Sequence, residues 1–323
     1  MTQESTHTSE SGDRRVLKLG TRGSALAMVQ ARDIARQLTA AGYEVEVIVK
    51  QTIGDQDKES TFAAIGPPGV FVREIETALV EGEIDLAVHC FKDLPSVSPE
   101  GLVIAAVPTR EDSGELLVTR GPKHFSDEPA LPLHPSSVIG TSAARRKALI
   151  KSHRPDLVCR ELRGNVPTRI QKLRDGQYDA IVLAAAGLNR LTEGAERGEN
   201  EAPNLEGLAV DKLCLEAFVP AASQGALALQ TRVDDDFTRA AVATMHDADS
   251  MRCVTAEREL LALVQAGCEA PFGAHCRPLA GADDGTLELL TVFELDGIVR
   301  RARSVGQNPA ALAREAFEGL GLA

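Results

Sequence analysis

Val16-Leu-Lys-Leu-Gly20, then Thr21-Arg-Gly-Ser24, then the run from Ala25 to Leu38, is the stretch that sets the fold class. The first five residues read as a strand. Ser24 is a good helix N-cap, and the run to Leu38 carries apolar side chains at helical spacing. Val45-Glu-Val-Ile-Val49 reads as a second strand. A helical crossover between two strands makes them parallel. The alternation continues with a helix over Val70 to Glu81 and a buried strand at Ile84-Asp-Leu-Ala-Val88. Between them, Thr52 to Gly69 is polar and contains Gly and Pro, long enough for a lid.

A second copy of this pattern starts near Ser137. Val138-Ile-Gly140 reads as a short strand, Ser142 as the cap of a helix through Ser152, and Leu157 to Leu162 as a strand. Gly164-Asn165 opens a further helix with Pro167 tolerated in its first turn. Asp179 to Leu183 is again a strand, followed by a helix through Arg190 and an exposed loop over residues 192 to 210. Past Asp234-Asp-Asp236 the pattern changes. Helices at Phe237–Met245 and Ser250–Gln265 precede strands at Leu287–Phe293 and Ile298–Ser304, with a hairpin turn at Asp296-Gly297 and a last helix from Pro309. The expected fold is α/β, two lobes with a smaller α+β C-terminal domain.

The length of 323 residues suits two or three domains. A net charge of −12, 3% aromatics and no Trp count against a nucleic-acid partner. No apolar run approaches the roughly 20 residues needed to cross a bilayer, and Met1 to Arg15 lacks the apolar core of a secretory signal. Six cysteines without paired spacing suit reduced thiols in a cytoplasm. Cys268, His275 and Cys276 match no common zinc spacing, so no metal is expected.

Three stretches carry polar side chains toward strand ends, where α/β folds bind ligands. Val88-His-Cys-Phe-Lys-Asp-Leu-Pro95 delivers Lys92 and Asp93 into a turn fixed by Pro95. Asp93 reads equally as an acid in a cleft and as part of a solvated ion pair at a strand end. Between Thr141 and Arg174 stand ten Lys and Arg against two acids, in a chain that is acidic overall. Helix starts with planar guanidinium groups suit carboxylates or phosphates. A solvated basic face accounts well for Lys147, Lys151 and Lys172, and poorly for Arg163 in Leu162-Arg-Gly-Asn165. Thr21 to Ser24, with Arg22, is either a plain capped turn or a third anion-facing helix start. Neither a dinucleotide fingerprint nor a P-loop is present. Late in the chain, Cys268 lies in Leu263-Val-Gln-Ala-Gly-Cys-Glu-Ala-Pro-Phe-Gly273, a small-residue turn where a thiol is accessible for covalent attachment or sits as a small hydrophobe.

Taken together, these stretches resemble the porphobilinogen deaminase family. The matching segments are Gly20-Thr-Arg-Gly-Ser-Ala-Leu-Ala27, Phe71-Val-Arg-Glu-Ile-Glu76, Val88 to Pro95, Ile139-Gly-Thr-Ser-Ala-Ala-Arg-Arg146, Leu162-Arg-Gly-Asn-Val166, Tyr178-Asp-Ala-Ile-Val-Leu183, Ser223-Gln-Gly-Ala226, Val254-Thr-Ala-Glu-Arg258 and Gly267-Cys268. The resemblance implies two lobes like those of periplasmic binding proteins and a third domain bearing the attachment cysteine. On that pattern a disordered tail covers residues 1–14. Domain 1 takes 15–113 and 216–232, domain 2 takes 114–215, and domain 3 takes 233–323.

It further implies a transferase with a dipyrromethane cofactor in thioether linkage to Cys268. Four porphobilinogen molecules are joined head to tail with loss of ammonia, and hydrolysis releases the linear tetrapyrrole hydroxymethylbilane. Asp93 is the implied catalytic residue, stabilising a cationic azafulvene or moving a proton to the leaving amine. Arg22, Ser24, Lys92, Thr141, Ser142, Arg145, Arg146, Arg163, Gly164, Arg169 and Gln224 are the implied cofactor and substrate contacts, with Gln30 a further candidate. An arginine between 190 and 197 is expected to add to them. The resemblance also suggests a monomer. The chain departs from the family pattern at Gly66-Pro67-Pro68-Gly69, where a lysine is usual, and at Cys90, Ala143 and Ser223, which stand for Ser, Ser and Gly. A cytosolic small-carboxylate binding protein would explain the arginines and the lid, but neither Cys268 nor the third domain. A divergent or inactive paralogue would keep the fold alone.

Overall fold

The computed structural model describes residues 15–50, 72–121, 131–265 and 270–322. Cys268, Gly267, Phe71 and the Thr52 to Gly69 stretch lie outside them.

In the first lobe, β1 (Leu17–Arg22), β2 (Val45–Lys50), β3 (Leu86–Cys90) and β4 (Leu102–Ala106) share a sheet with β10 (Leu227–Arg232). The order is β2-β1-β3-β10-β4. β1 pairs in parallel with β2 and β3, and β10 runs antiparallel to β3 and β4. The second lobe repeats the scheme with β5 (Glu115–Arg120), β6 (Val138–Gly140), β7 (Val158–Arg160), β8 (Ala180–Ala184) and β9 (Leu208–Lys212), in the order β7-β6-β8-β5-β9. Here β5 is the antiparallel strand. Each sheet thus takes in, as its antiparallel member, the strand that follows a crossing of the chain from the other lobe. This is the expected pair of α/β lobes.

The register fixes which edges of the sheets face each other. The chain leaves the first lobe after β4 and enters the second at Glu115, which lies opposite Ala184, the last residue of β8. It returns at Leu227, opposite Cys90, the last residue of β3. Both crossings therefore join the carboxyl ends of the parallel strands, and these ends line the space between the lobes.

Helix α1 (Ala25–Ala40) begins at Ser24, whose hydroxyl accepts from the Ala27 amide, and it buries Ala31, Ile34 and Leu38 on the first sheet. Helix α2 (Arg73–Val80) precedes β3, and α3 (Ala144–His153) follows β6. Ser142 does not cap α3. Its N-cap is Ala143, and the Ser142 hydroxyl bonds the Leu162 backbone instead. Helix α4 (Val166–Arg174) starts at Asn165, which caps it, with Pro167 in the first turn. Helix α5 (Ala185–Glu196) runs past the expected end at Arg190, and β9 occupies the end of the expected 192–210 loop.

The third sheet is an antiparallel meander of β11 (Phe272–Pro278), β12 (Leu287–Leu295) and β13 (Ile298–Gly306). Asp296 and Gly297 form the β12–β13 turn with φ of 53° and 79°. Helices α7 (Ala248–Val264) and α8 (Pro309–Gly319) cover this sheet, sharing a core of Cys253, Leu260, Leu287, Leu289 and Leu312. Helix α6 (Asp236–Ala243) packs differently: Ala241 and Val242 sit in the core of the first lobe with Leu17 and Leu229. By packing, α6 goes with the first lobe and α7 with the third sheet. Together, α7 and this sheet touch both lobes, through Leu290 and Val292 against Phe218 and Val219, and through Val254 against Phe91 and Leu94.

Candidate active site

The first lobe contributes the ends of β1 and β3. Arg22 closes β1, half-buried, and its charge helps burial to lower the pKa of His89. The Ser24 oxygen is engaged in capping α1 at 3.3 Å. Beyond Cys90 a 3-10 turn, Phe91–Asp93, buries Phe91 while leaving Asp93 exposed to solvent. Lys92 donates to the Gln224 side chain at 3.3 Å, and the Gln224 amide donates to the carbonyl of Ser113 at 2.8 Å. Gln224, a predicted ligand contact, is itself buried and holds Lys92 to the outgoing crossing. Gln30, on α1, donates to the Cys90 thiol at 3.2 Å. Burial first, then the charge of Asp93, pushes the Cys90 pKa up, so this thiol stays protonated beside the acid.

The second lobe contributes the ends of β6 and β7. Most of the basic residues between Thr141 and Arg174 turn out to be engaged by the fold. Arg154 pairs with Asp156, Lys147 with Glu161, and Arg160 donates to the Gln177 carbonyl. Arg145 and Arg146, predicted to face a ligand, are buried and share one carboxylate: Glu115 accepts from Arg145 at 2.5 Å and from Arg146 at 2.6 Å. Arg145 also donates to the Val219 carbonyl, and Gly273 of β11 lies against it, where a Cβ would come within 2.8 Å of its Cδ. Burial raises the Glu115 pKa, but the charges of Arg146 and Arg145 overcome it and hold the carboxyl down at about 2.

Two further features of this lobe bear on anion binding. Arg169 donates its Nε to the Gly164 carbonyl at 2.7 Å. Its pKa is lowered to about 10, by burial and then by the repulsive charges of Arg146 and Arg163. The charges of Arg146 and Arg163 thus act on Arg169, and repulsion of this kind is relieved by binding an anion. The buried hydroxyl of Thr141 and the Nε of Arg146 have no hydrogen-bond partner among the described residues. Gly164 permits this arrangement: its φ is 109°, and a Cβ would lie 2.7 Å from Thr168. Ser142 holds the β6 and β7 ends together through Leu162.

Arg190 is the arginine left undecided by sequence. It lies on α5 in the second lobe, donates to the Gly225 carbonyl at 2.8 Å, and is close enough to Cys90 for the two to interact electrostatically. Burial lowers its pKa. Arg197, the other candidate there, is spent on Glu199 and Glu193. Sequence reasoning missed Glu115 altogether. Its signal was the Arg145-Arg146 pair at a helix start with no acid nearby in the chain, which demands a carboxylate from elsewhere.

A family model described as porphobilinogen deaminase, dipyromethane cofactor binding domain, matches residues 17–240. The chain belongs to the porphobilinogen deaminase family. Its curated relatives extend the match beyond that segment. The porphobilinogen deaminase of Syntrophobacter fumaroxidans is 40% identical over 88% of this chain and 86% of its own. That of Geobacillus kaustophilus is 40% identical over 94% of this chain and 93% of its own, and that of Deinococcus radiodurans 42% over 90% of each. A looser likeness, at 10% identity, 73% of this chain, 94% of the other and a TM-score of 0.39, is to an arginine-specific periplasmic binding protein of Salmonella typhimurium.

The residues present fit the family's cofactor. A dipyrromethane bears acetate and propionate groups, and Arg146, Arg163 and Arg169 with the unpartnered Thr141 hydroxyl are suited to carboxylates. Among the described residues no group of His, Cys, Asp and Glu could hold a metal ion, and no helix is long and apolar enough to cross a membrane.

Proposed function

We propose that this chain is a transferase that condenses porphobilinogen head to tail on a dipyrromethane primer and releases hydroxymethylbilane. The observation that carries the reading is the family match over residues 17–240, borne by relatives about 40% identical over most of the chain, together with Arg163 and Arg169 following the carboxyl end of β7. The primer, attached to Cys268, supplies the terminal pyrrole to which the first unit is joined. Arg163 and Arg169 bind carboxylates. Arg22 and Lys92 add positive charge from the first lobe. Arg190, reaching from the second lobe to the Cys90 end of β3, places a guanidinium beside the reacting segment.

Asp93 stands exposed at the end of a short turn, so its carboxylate meets whatever enters between the lobes. There it stabilises the positive charge that develops as ammonia leaves, and it passes a proton to the departing amine. Cys90, kept protonated by burial and by Asp93, does not compete with the primer for the electrophile. Six cysteines without paired spacing suit a reducing cytoplasm.

Intact mass of the purified chain tests the reading, with an acidic aldehyde reagent for pyrroles as a second probe. A mass excess equal to two linked pyrroles on the Cys268 peptide, absent in Cys268→Ala, supports it. A chain without extra mass, colourless with the reagent even after incubation with porphobilinogen, overturns it.

A further inference from the structure

Helix α7 carries the segment Val254-Thr-Ala-Glu-Arg258, and the site described above uses neither of its charged residues. Glu257 is fully buried and gathers the crossings: it accepts from both terminal nitrogens of Arg110 at 2.6 and 3.1 Å, from the Ser223 amide at 2.5 Å and from the Cys276 amide at 2.7 Å. That network accounts for Glu257. Its neighbour Arg258 points the other way, into the first lobe. Its guanidinium lies over the Phe91 ring, 4.4 Å from the centroid. It also donates to the carbonyls of Phe91 at 3.3 Å, Leu94 at 3.4 Å and Pro95.

These contacts bracket the turn that holds Lys92 and Asp93. The turn is also held by the buried side chains of Phe91 and Leu94, by the Phe91 amide donating to the Ala226 carbonyl at 3.0 Å and by Lys92 donating to Gln224. Arg258 adds bonds to the Leu94 and Pro95 carbonyls on the far side of Asp93. The turn itself is three residues long, has no side-chain cap, and closes through one backbone bond, from the Leu94 amide to the Phe91 carbonyl at 3.2 Å. An exposed carboxylate on so short a turn takes its direction from whatever holds the flanking backbone. Arg258 holds it on both sides, and a planar fork with several donors suits three carbonyls where a single ammonium does not.

We infer that Arg258 is a positioning residue for Asp93, through which the helix leading toward Cys268 sets the direction of the acid. The inference rests on the proposed role of Asp93. Because Glu257 binds the crossings on the same turn of α7, that helix ties the geometry of the crossings to that of the acid.

The test compares Arg258→Ala and Arg258→Lys with the parent, each as the full primer-loaded chain. Melting temperature and the mass on the Cys268 peptide are taken first, then kcat and KM for porphobilinogen by ammonia release. Amide hydrogen exchange at residues 91–95 is followed separately. In Arg258→Ala the loaded mass persists, KM stays within about twofold, kcat falls roughly 10- to 100-fold, the loss expected when a proton-transfer group is misplaced, and the Leu94 amide exchanges faster. Arg258→Lys restores part of kcat. A folded, loaded Arg258→Ala with unchanged kcat overturns the inference, as does a kcat loss matched by an equal loss of folded protein. Should the parent itself release no ammonia, the proposed function fails. The hydrogen exchange then still decides whether Arg258 holds the turn, and an unchanged Leu94 amide sinks that as well.

Discussion

Replacing Ser223 by Gly should stabilise the protein, against the usual direction of substitutions in a buried hinge. Ser223 has φ of 61°, in the left-handed region, and is fully buried. Its amide is used, donating to Glu257, but its hydroxyl has no partner among the described residues. A residue with a Cβ held left-handed costs about 1–2 kcal/mol, and a buried hydroxyl without a partner about 1–3 kcal/mol. Gly removes both and gives back about 0.4–1 kcal/mol through the freer unfolded chain. The small space left by the side chain takes a further part, for a net gain of about 1–2 kcal/mol. In chains of this order of size, each kcal/mol moves the melting temperature by roughly 2–4 °C. Calorimetry of Ser223→Gly at neutral pH should therefore show a rise of a few degrees. Because Gln224 reaches Lys92 and Ser113 without the Ser223 side chain, kcat should remain that of the parent. A melting temperature equal to the parent's or lower would refute the reasoning, and would mean that the hydroxyl is satisfied in solution.

Other consequences can be checked in the same way. Asp93→Ala should keep its covalent pyrroles and lose about 10²- to 10⁴-fold in turnover; normal ammonia release would remove Asp93 from its assigned role. Glu257→Gln breaks a buried ion pair with Arg110 and should cost about 3–5 kcal/mol in chemical denaturation, so a variant as stable as the parent would show that the crossings are held by other contacts. Stability should also fall in acid in two stages. Burial, assisted by Arg22, lowers the His89 pKa to about 4, and burial with Arg110 and Arg277 lowers that of His275 to about 3. Both titrate near ~6.5 when unfolded, so the unfolded chain binds more protons below that pH. Their contribution is complete above about 6.5 and is lost as the pH falls toward 4 and 3. Glu115, held at about 2, adds stability above ~4.5 that is lost as pH falls toward 2. Urea midpoints at pH 7 and 5 should differ for the parent and converge in His89→Gln/His275→Gln, and an identical shift in the double variant would count against the two histidines.

Several candidate residues stand out locally in the sequence. Asp93 follows a buried strand and precedes a proline. Gly164 and Asn165 open a helix in a way few other residues can. The partner of Arg145 and Arg146 was not legible. A side chain's partner is set by what packs against it, and Glu115 lies some thirty residues away in the chain from the two arginines it binds. Ser142 misled for a related reason: a hydroxyl one residue before a helix cap looks like the cap until a neighbouring strand offers it a better bond.

Periodicity and turn chemistry are local properties, so the amino-acid order by itself determined the two α/β units, the β12–β13 hairpin, the caps at Ser24 and Asn165 and the strand ends where polar residues gather. Only the tertiary structure decided that β5 and β10 enter their sheets antiparallel, that α6 belongs to the first lobe, and which arginines are neutralised by buried acids. It also decided that α7 grips the crossings with Glu257 and the Asp93 turn with Arg258. These depend on contacts between segments far apart in the chain, and the energy of such a contact resides in the pair, with no trace in either segment alone.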